Sequence, residues 1–251
     1  MSRISRRRFL ELAMAGAMGT VLAACADTTG QVTPAASPSP DGPLATATHV
    51  RGKPVQNENR QGRNVRYFKR FVPPTPEEWS LEVSGLVSQP LTLSFADIQQ
   101  LPALEQVSRM KCVECWSFKA QWGGFALASL LEQVQLKSSA THVRLQCGDT
   151  YWEVLSLEDL LQERVLFAYR MDGAFLADEY GSPLRLIVPW KYGYKGAKCI
   201  TALTFVDIMG AGYWSTVGPY TISGDIEEGY DHPQETGDRV RITQGGVELT
   251  Y

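Results

Sequence analysis

The chain has 251 residues, with 24 Lys and Arg against 27 Asp and Glu and a formal net charge of −3. This mildly acidic balance contains no basic stripe, which argues against a nucleic-acid binder. No internal repeat is visible.

Residues 1–26 read as an export leader rather than as part of a fold. Arg6, Arg7 and Arg8 precede Phe9 and Leu10, and a short apolar run extends from Leu12 to Ala24. That run falls short of the roughly 20 residues a helix needs to cross a bilayer, and it suits a signal-peptide core. Consecutive arginines before Phe-Leu have the pattern of a twin-arginine signal, a route for folded passengers; an ordinary secretory signal is the alternative. The stretch LAAC at 22–25 has the form of a lipobox, in which cleavage before Cys25 leaves that thiol to carry a lipid anchor. Plain cleavage after a small residue is the alternative there. The expected location is periplasmic or otherwise extracytoplasmic, with a membrane tether through Cys25. Removing the leader takes away four arginines and one glutamate and leaves a net charge of −6.

Residues 27–62 are a different material. They hold five of the 14 prolines and almost no large apolar side chain. Such a segment cannot bury enough surface to offset its ordering entropy, and a flexible tether is expected. Residues 63–251 then form one domain of a size that supports a substantial core.

Within it, Trp79, Leu81 and Val83 alternate, which predicts a half-buried strand. Ser94 to Leu101 reads as a short helix, with Ser94 as N-cap, Asp97 three residues on and Pro102 as the stop. GFALASLLEQV (124–134) has helical spacing. HVRLQC (142–147) is a strand by alternation, and SLEDLLQE (156–163) is a second capped helix through Ser156 and Asp159. LRLIVPW (184–190) reads as a buried strand ended by Pro189, and ITALTFVDI (200–208) as another. Short helices scattered among strands predict an α+β fold. No βαβ alternation and no G-x-G-x-x-G occur, which disfavours a dinucleotide-binding domain.

After Cys25 the thiols are Cys112, Cys115, Cys147 and Cys199. An even number in an exported chain suggests disulfides, while their apolar contexts suit buried free thiols. A redox pair at Cys112 and Cys115 is the third possibility. Zinc would favour two C-x-x-C pairs, and a c-type haem would need His where Trp116 stands. His49, His142 and His232 form no site by pattern, and Glu227 and Glu228 read as a solvated loop.

MKCVECWSFKAQWGGFALASLL (110–131) and GSPLRLIVPWKYGYKGAK (181–198), with the twin-arginine leader, resemble the sulfite-oxidase superfamily of molybdopterin enzymes. The likeness is strongest to its branch of periplasmic methionine-sulfoxide-reducing enzymes and runs from about Asn64 to Pro233. It implies a single-domain molybdopterin-binding fold with mixed sheets and short helices. It implies further that Cys112 is the thiolate ligand of molybdenum, in keeping with the preference of soft metals for sulfur. The pterin would supply the remaining sulfurs. Arg185 matches a cofactor-binding arginine whose fork suits phosphate. Gly196, Ala197 and Lys198 match a short segment clasping the cofactor. Asn64 and Tyr67, with Phe68 beside them, match an Asn-x-x-Tyr contact. Glu114 matches a pocket acid able to hold a proton, and Cys115 has no role assigned by the likeness. Trp116, Tyr213 and Trp214 are candidates to wall the site.

Two departures stand out. Cys147 occupies the place of a threonine contact, and Tyr180 that of an asparagine; a thiol is the poorer hydrogen-bond partner. Without the resemblance, Lys191, Lys195 and Lys198 would read as a solvated basic loop, and Glu114 as a surface carboxylate.

The activity implied is oxygen-atom transfer on a molybdenum–molybdopterin cofactor, reducing an S-oxide such as methionine sulfoxide. No haem or flavin motif is present, so a separate haem- or quinone-linked electron donor, membrane-bound or soluble, is expected. Three rivals remain at this point. Sulfite oxidation is one, although sulfite oxidases place an arginine soon after the metal cysteine. A thiol–disulfide oxidoreductase using Cys112 and Cys115 is the second. A lipoprotein that kept the fold and lost the cofactor is the third.

Overall fold

The computed structural model describes residues 68–69, 71–113, 117–227, 230–231 and 240–241. Asn64, Tyr67, Glu114, Cys115, Trp116 and the leader with Cys25 lie outside these residues. Among the described residues two larger sheets carry the fold, with short helices between their strands.

The first sheet begins with β1 (Ser80–Gly85), whose Leu81 and Val83 point inward as the alternation requires. It pairs antiparallel with β2 (Leu91–Ser94). Helix α1 (Phe95–Gln99) starts on a complete capping box: Ser94 Oγ accepts the Asp97 N–H and the Asp97 carboxylate accepts the Ser94 N–H at 2.8 Å. The sheet continues through β5 (His142–Cys147), β6 (Trp152–Ser156) and β10 (Ile200–Val206), in the order β2-β1-β10-β5-β6. β1 and β10 run parallel, and the other neighbours are antiparallel. Gly85, at φ +89°, closes against the backbone of Phe205, where no Cβ fits.

The second sheet has the order β3-β4-β7-β8, from β3 (Leu104–Lys111), β4 (Ser117–Phe125), β7 (Leu166–Met171) and β8 (Ala174–Phe175), with β9 (Arg185–Ile187) also paired to β7. β3 and β4 form a hairpin whose connection carries Cys112. β3 is an edge strand, and Arg164 covers it. The Arg164 guanidinium donates to the Val107 carbonyl at 2.7 Å, and Gln106 donates back to the Arg164 carbonyl at 2.8 Å.

Helix α2 (Leu127–Val134) buries Leu127, Leu130 and Val134. It starts later than its periodicity predicts, because Gly124 and Phe125 extend β4. Helix α3 (Leu157–Leu160) is capped by Ser156 as expected. Helix α4 (Tyr213–Val217), the small pair β11 (Tyr230–Asp231) and β12 (Val240–Arg241), and two 3-10 turns at Asp178–Tyr180 and Gly193–Lys195 complete the described elements. The main core spans the first sheet, α1, α2 and the inner residues of β7 and β9, from Trp79 through Phe167 to Phe205. A smaller cluster around Trp122, Leu166 and Ile187 lies within the second sheet. No helix among the described residues is long and apolar enough to cross a membrane.

Candidate functional site

The site grows from two chain segments that the sheets bring together. The first is the end of the β3–β4 hairpin. The second follows β9: Pro189 ends the strand run, and the chain turns through a single 3-10 turn at Gly193–Lys195. A parallel bridge between Lys111 and Tyr192 joins the two, which places Cys112 beside this second segment. Gly193 permits the approach, since a Cβ there would press on the Met110 sulfur at 2.7 Å.

Between them lies a cavity of about 550 Å³. Cys112, Arg185, Gly196, Ala197 and Lys198 all line it, as does Phe68. Six of the residues singled out in the sequence for metal, phosphate, clasp and pterin contact therefore share one cavity. Cys112 is partly accessible there, as a ligand thiol must be.

Arg185 is 2% exposed, and its guanidinium stacks over Trp122 at 4.9 Å. One terminal nitrogen donates to the Tyr180 carbonyl at 2.8 Å, while Nε has no hydrogen-bond partner among the described residues. Burial pushes its pKa down to about 10. Lys198 Nζ donates to the Glu179 carbonyl at 2.9 Å. Burial, followed by the neighbouring Arg185 charge, brings its pKa down to about 7. A buried guanidinium with an unused donor and a half-buried ammonium thus stand together on a cavity that Asp149 and Asp178 also line.

Tyr180 is not on the cavity wall. It contributes its backbone carbonyl to Arg185, and its ring packs toward Phe118 at 6.5 Å. Cys147 is also set back, 3% exposed within the core, and burial raises its thiol pKa well above the ordinary range, with Asp149 and Cys199 adding to it. The Lys198 backbone N–H bonded to Cys147 opposes that rise. Cys112, Cys147 and Cys199 carry no disulfide, which settles the question for Cys147 and Cys199 in favour of buried thiols. Trp214 lines the cavity, whereas Tyr213 stands behind it against Phe68 at 4.3 Å.

Lys191 and Lys195 overturn the solvated-loop reading. Lys191 is 4% exposed and is held by Asp225 at 2.7 Å, Asp159 at 3.2 Å and the Ser223 carbonyl at 3.0 Å. Lys195 is 1% exposed and pairs with the fully buried Glu153 at 2.6 Å. These lysines pin the clasp from behind, while Lys198 faces the cavity. Pattern reading missed Asp149, Tyr151, Asp178 and Tyr194, which also line the cavity, because no motif marks them.

The residues fit a molybdopterin. Its phosphate suits Arg185 and Lys198, its edges suit the close backbone at Gly196 and Ala197, and its metal suits the Cys112 thiolate. Among the described residues no group of three His, Cys, Asp or Glu could hold a bare metal ion.

Comparison with known proteins agrees with this fit. The family described as the oxidoreductase molybdopterin binding domain matches residues 70–214. The protein-methionine-sulfoxide reductase catalytic subunit MsrP of Ralstonia nicotianae is 32% identical over 192 residues, covering 68% of this chain and 58% of that protein. Its counterpart in Gluconobacter oxydans is 34% identical over 179 residues, covering 63% and 57%. The chain thus spans less than two thirds of the length of these relatives. The sulfane dehydrogenase SoxCD of Paracoccus pantotrophus shares the fold with a TM-score of 0.54 at 19% identity, covering 68% of this chain and 46% of that one. The α+β architecture, the Cys112 cavity and the matched span lead to one assignment: the chain belongs to the oxidoreductase molybdopterin-binding domain family.

Proposed function

We propose that the protein reduces an S-oxide, of which methionine sulfoxide is the leading example, using electrons from a separate redox partner. One observation carries the reading: a partly accessible thiol, an unsatisfied buried guanidinium and a close-packed backbone segment share one cavity. The likeness to the MsrP proteins gives the substrate class. When bound, molybdopterin–molybdenum supplies two-electron oxygen-atom transfer.

The chain's own residues do the rest. Cys112 holds the metal as thiolate. Arg185 and Lys198 grip the phosphate, and Gly196 and Ala197 bring their backbone close to the pterin. Tyr180 aims Arg185 through its carbonyl, and Cys147 steadies the backbone of Lys198. The family likeness assigns further pterin contacts to Asn64 and Tyr67 and a proton-holding role to Glu114. Phe68, Trp214 and Tyr220 form an aromatic wall suited to the neutral, apolar end of a thioether S-oxide. Asp149 and Asp178 on the same lining disfavour a small anion such as sulfite. The leader supports export by the twin-arginine route and a lipid tether at Cys25, with a haem- or quinone-linked donor.

The test is elemental analysis of matured protein joined to steady-state assays. Molybdenum near one atom per chain and turnover of methionine sulfoxide are expected. Cys112→Ala should abolish turnover while leaving the circular dichroism spectrum unchanged, and Cys115→Ala should be tolerated. Rapid sulfite oxidation without S-oxide reduction would overturn the reading, as would full activity without molybdenum.

A further inference from the structure

A second cavity, of about 480 Å³, lies on the other side of the clasp. Its rim carries exposed side chains, including Glu158, Glu163, Met209 and Ile222, so it meets solvent. Lys195 reaches its inner wall. The Lys195 ammonium donates to Glu153 Oε1 at 2.6 Å, and the other carboxylate oxygen of Glu153 meets the Tyr151 hydroxyl at 3.2 Å. Tyr151 lines the cofactor cavity. Three buried titratable groups thus connect two cavities, with each contact at hydrogen-bonding distance.

Lys195 also donates to the Val154 and Ile222 carbonyls at 3.2 and 2.8 Å, and Glu153 Oε1 also accepts the Val154 N–H at 2.8 Å, so the pair is held firmly in place. A buried ion pair is often no more stabilising than apolar residues of the same volume. The cost here is visible, because Gly212 has to lack a side chain to admit the Glu153 carboxylate. A carboxylate that accepts a proton on one oxygen and releases it from the other is a standard relay element.

We propose that Lys195, Glu153 and Tyr151 form a proton path from the second cavity to the cofactor cavity. The proposal rests on S-oxide reduction as the activity. In that reaction the S–O bond breaks, two electrons arrive from the redox partner, and two protons join the released oxygen as water. The path delivers those protons beside the aromatic wall, where the Tyr151 ring lies 5.7 Å from that of Phe68. The Tyr151 hydroxyl also lies 2.6 Å from the Tyr194 carbonyl, so its single hydrogen has to leave that acceptor when a proton passes. Other charged groups face the path: Lys191 and Asp159 near Lys195, and Cys147 and Tyr194 near Tyr151. Burial moves Glu153 up and Lys195 down from their ordinary ranges, which brings the two affinities for a proton closer together.

The test compares Glu153→Gln, Tyr151→Phe and the wild type, all loaded with cofactor and checked for equal molybdenum content. Glu153→Gln keeps the volume and the acceptor for Lys195 and cannot carry a proton. Turnover with methionine sulfoxide under saturating dye reductant should fall at least tenfold in each variant, with an altered solvent isotope effect. Reduction-induced infrared difference spectra of the wild type should show a carboxyl C=O band that Glu153→Gln lacks. Unchanged turnover and isotope effect in Glu153→Gln, or no such band in the wild type, would overturn the path. Slower turnover with the wild-type isotope effect in both variants would overturn it too, since a purely positioning role predicts that. A wild type that holds molybdenum and reduces no S-oxide would instead defeat the functional reading.

Discussion

Lys198 is a half-buried cation whose partial loss of water lowers its affinity for a proton. In the cofactor-free protein it holds its proton only below about pH 7, whereas the unfolded chain holds it up to the ordinary lysine value of 10.5. Between those limits the unfolded chain binds the extra proton, so stability rises with pH. Urea midpoints of cofactor-free protein are expected to climb from about pH 7.5 to about pH 9.5, and Lys198→Met should flatten the climb. A bound phosphate favours the charged form, so loaded protein should show a smaller slope. At this scale the sequence was only half informative. Cys112 and Arg185 were legible through family likeness, not through spacing. Their chemistry depends on neighbours such as Trp122 and Tyr180, which the fold brings in.

The clasp, from Lys191 to Lys198, works as an element because its lysines have different partners. Lys195→Met would strand the Glu153 carboxylate in the core, at a cost of about 3–5 kcal/mol. Burial raises the Glu153 pKa, so a neutral carboxyl relieves the penalty at low pH, and the loss should grow as pH rises above the usual carboxylate range. Chemical denaturation at about pH 5 and pH 8 would show this, and Lys195→Met with Glu153→Leu should recover most of the stability. The charged partners of Lys191 and Lys195 lie 32 to 42 residues away, which is why a run of basic residues looked solvated in the sequence. Elements with one clean face, an apolar run or a marked end were legible: β1 and β5 alternate, β10 reads as a buried strand, and α1 and α3 are announced by their caps. The β3–β4 hairpin was not. β3 mixes exposed and half-buried positions as an edge strand, and the end of β4 is buried on both faces, so neither alternates.

Across the described residues the cavity draws on the second sheet through Met110 and Arg185 and on the β5–β6 turn through Asp149 and Tyr151, and the clasp is the part most dependent on what fills it. A ligand that binds only the folded state adds stability in proportion to the logarithm of its excess over Kd. Loaded protein should therefore melt above cofactor-free protein. Hydrogen exchange should show the extra protection concentrated at residues 193–199, with β1 and β10 nearly unchanged. Leu104 and Val107 stand exposed along the outer edge of β3, and the Arg164 side chain occupies a carbonyl there that another strand would otherwise find. Arg164→Ala would leave that edge ready to join its counterpart on a second molecule. Turbidity on concentration, with little change in catalytic constants, is the expected signature. A single guanidinium on the periphery thus sets how crowded a solution of this protein can become before it clouds.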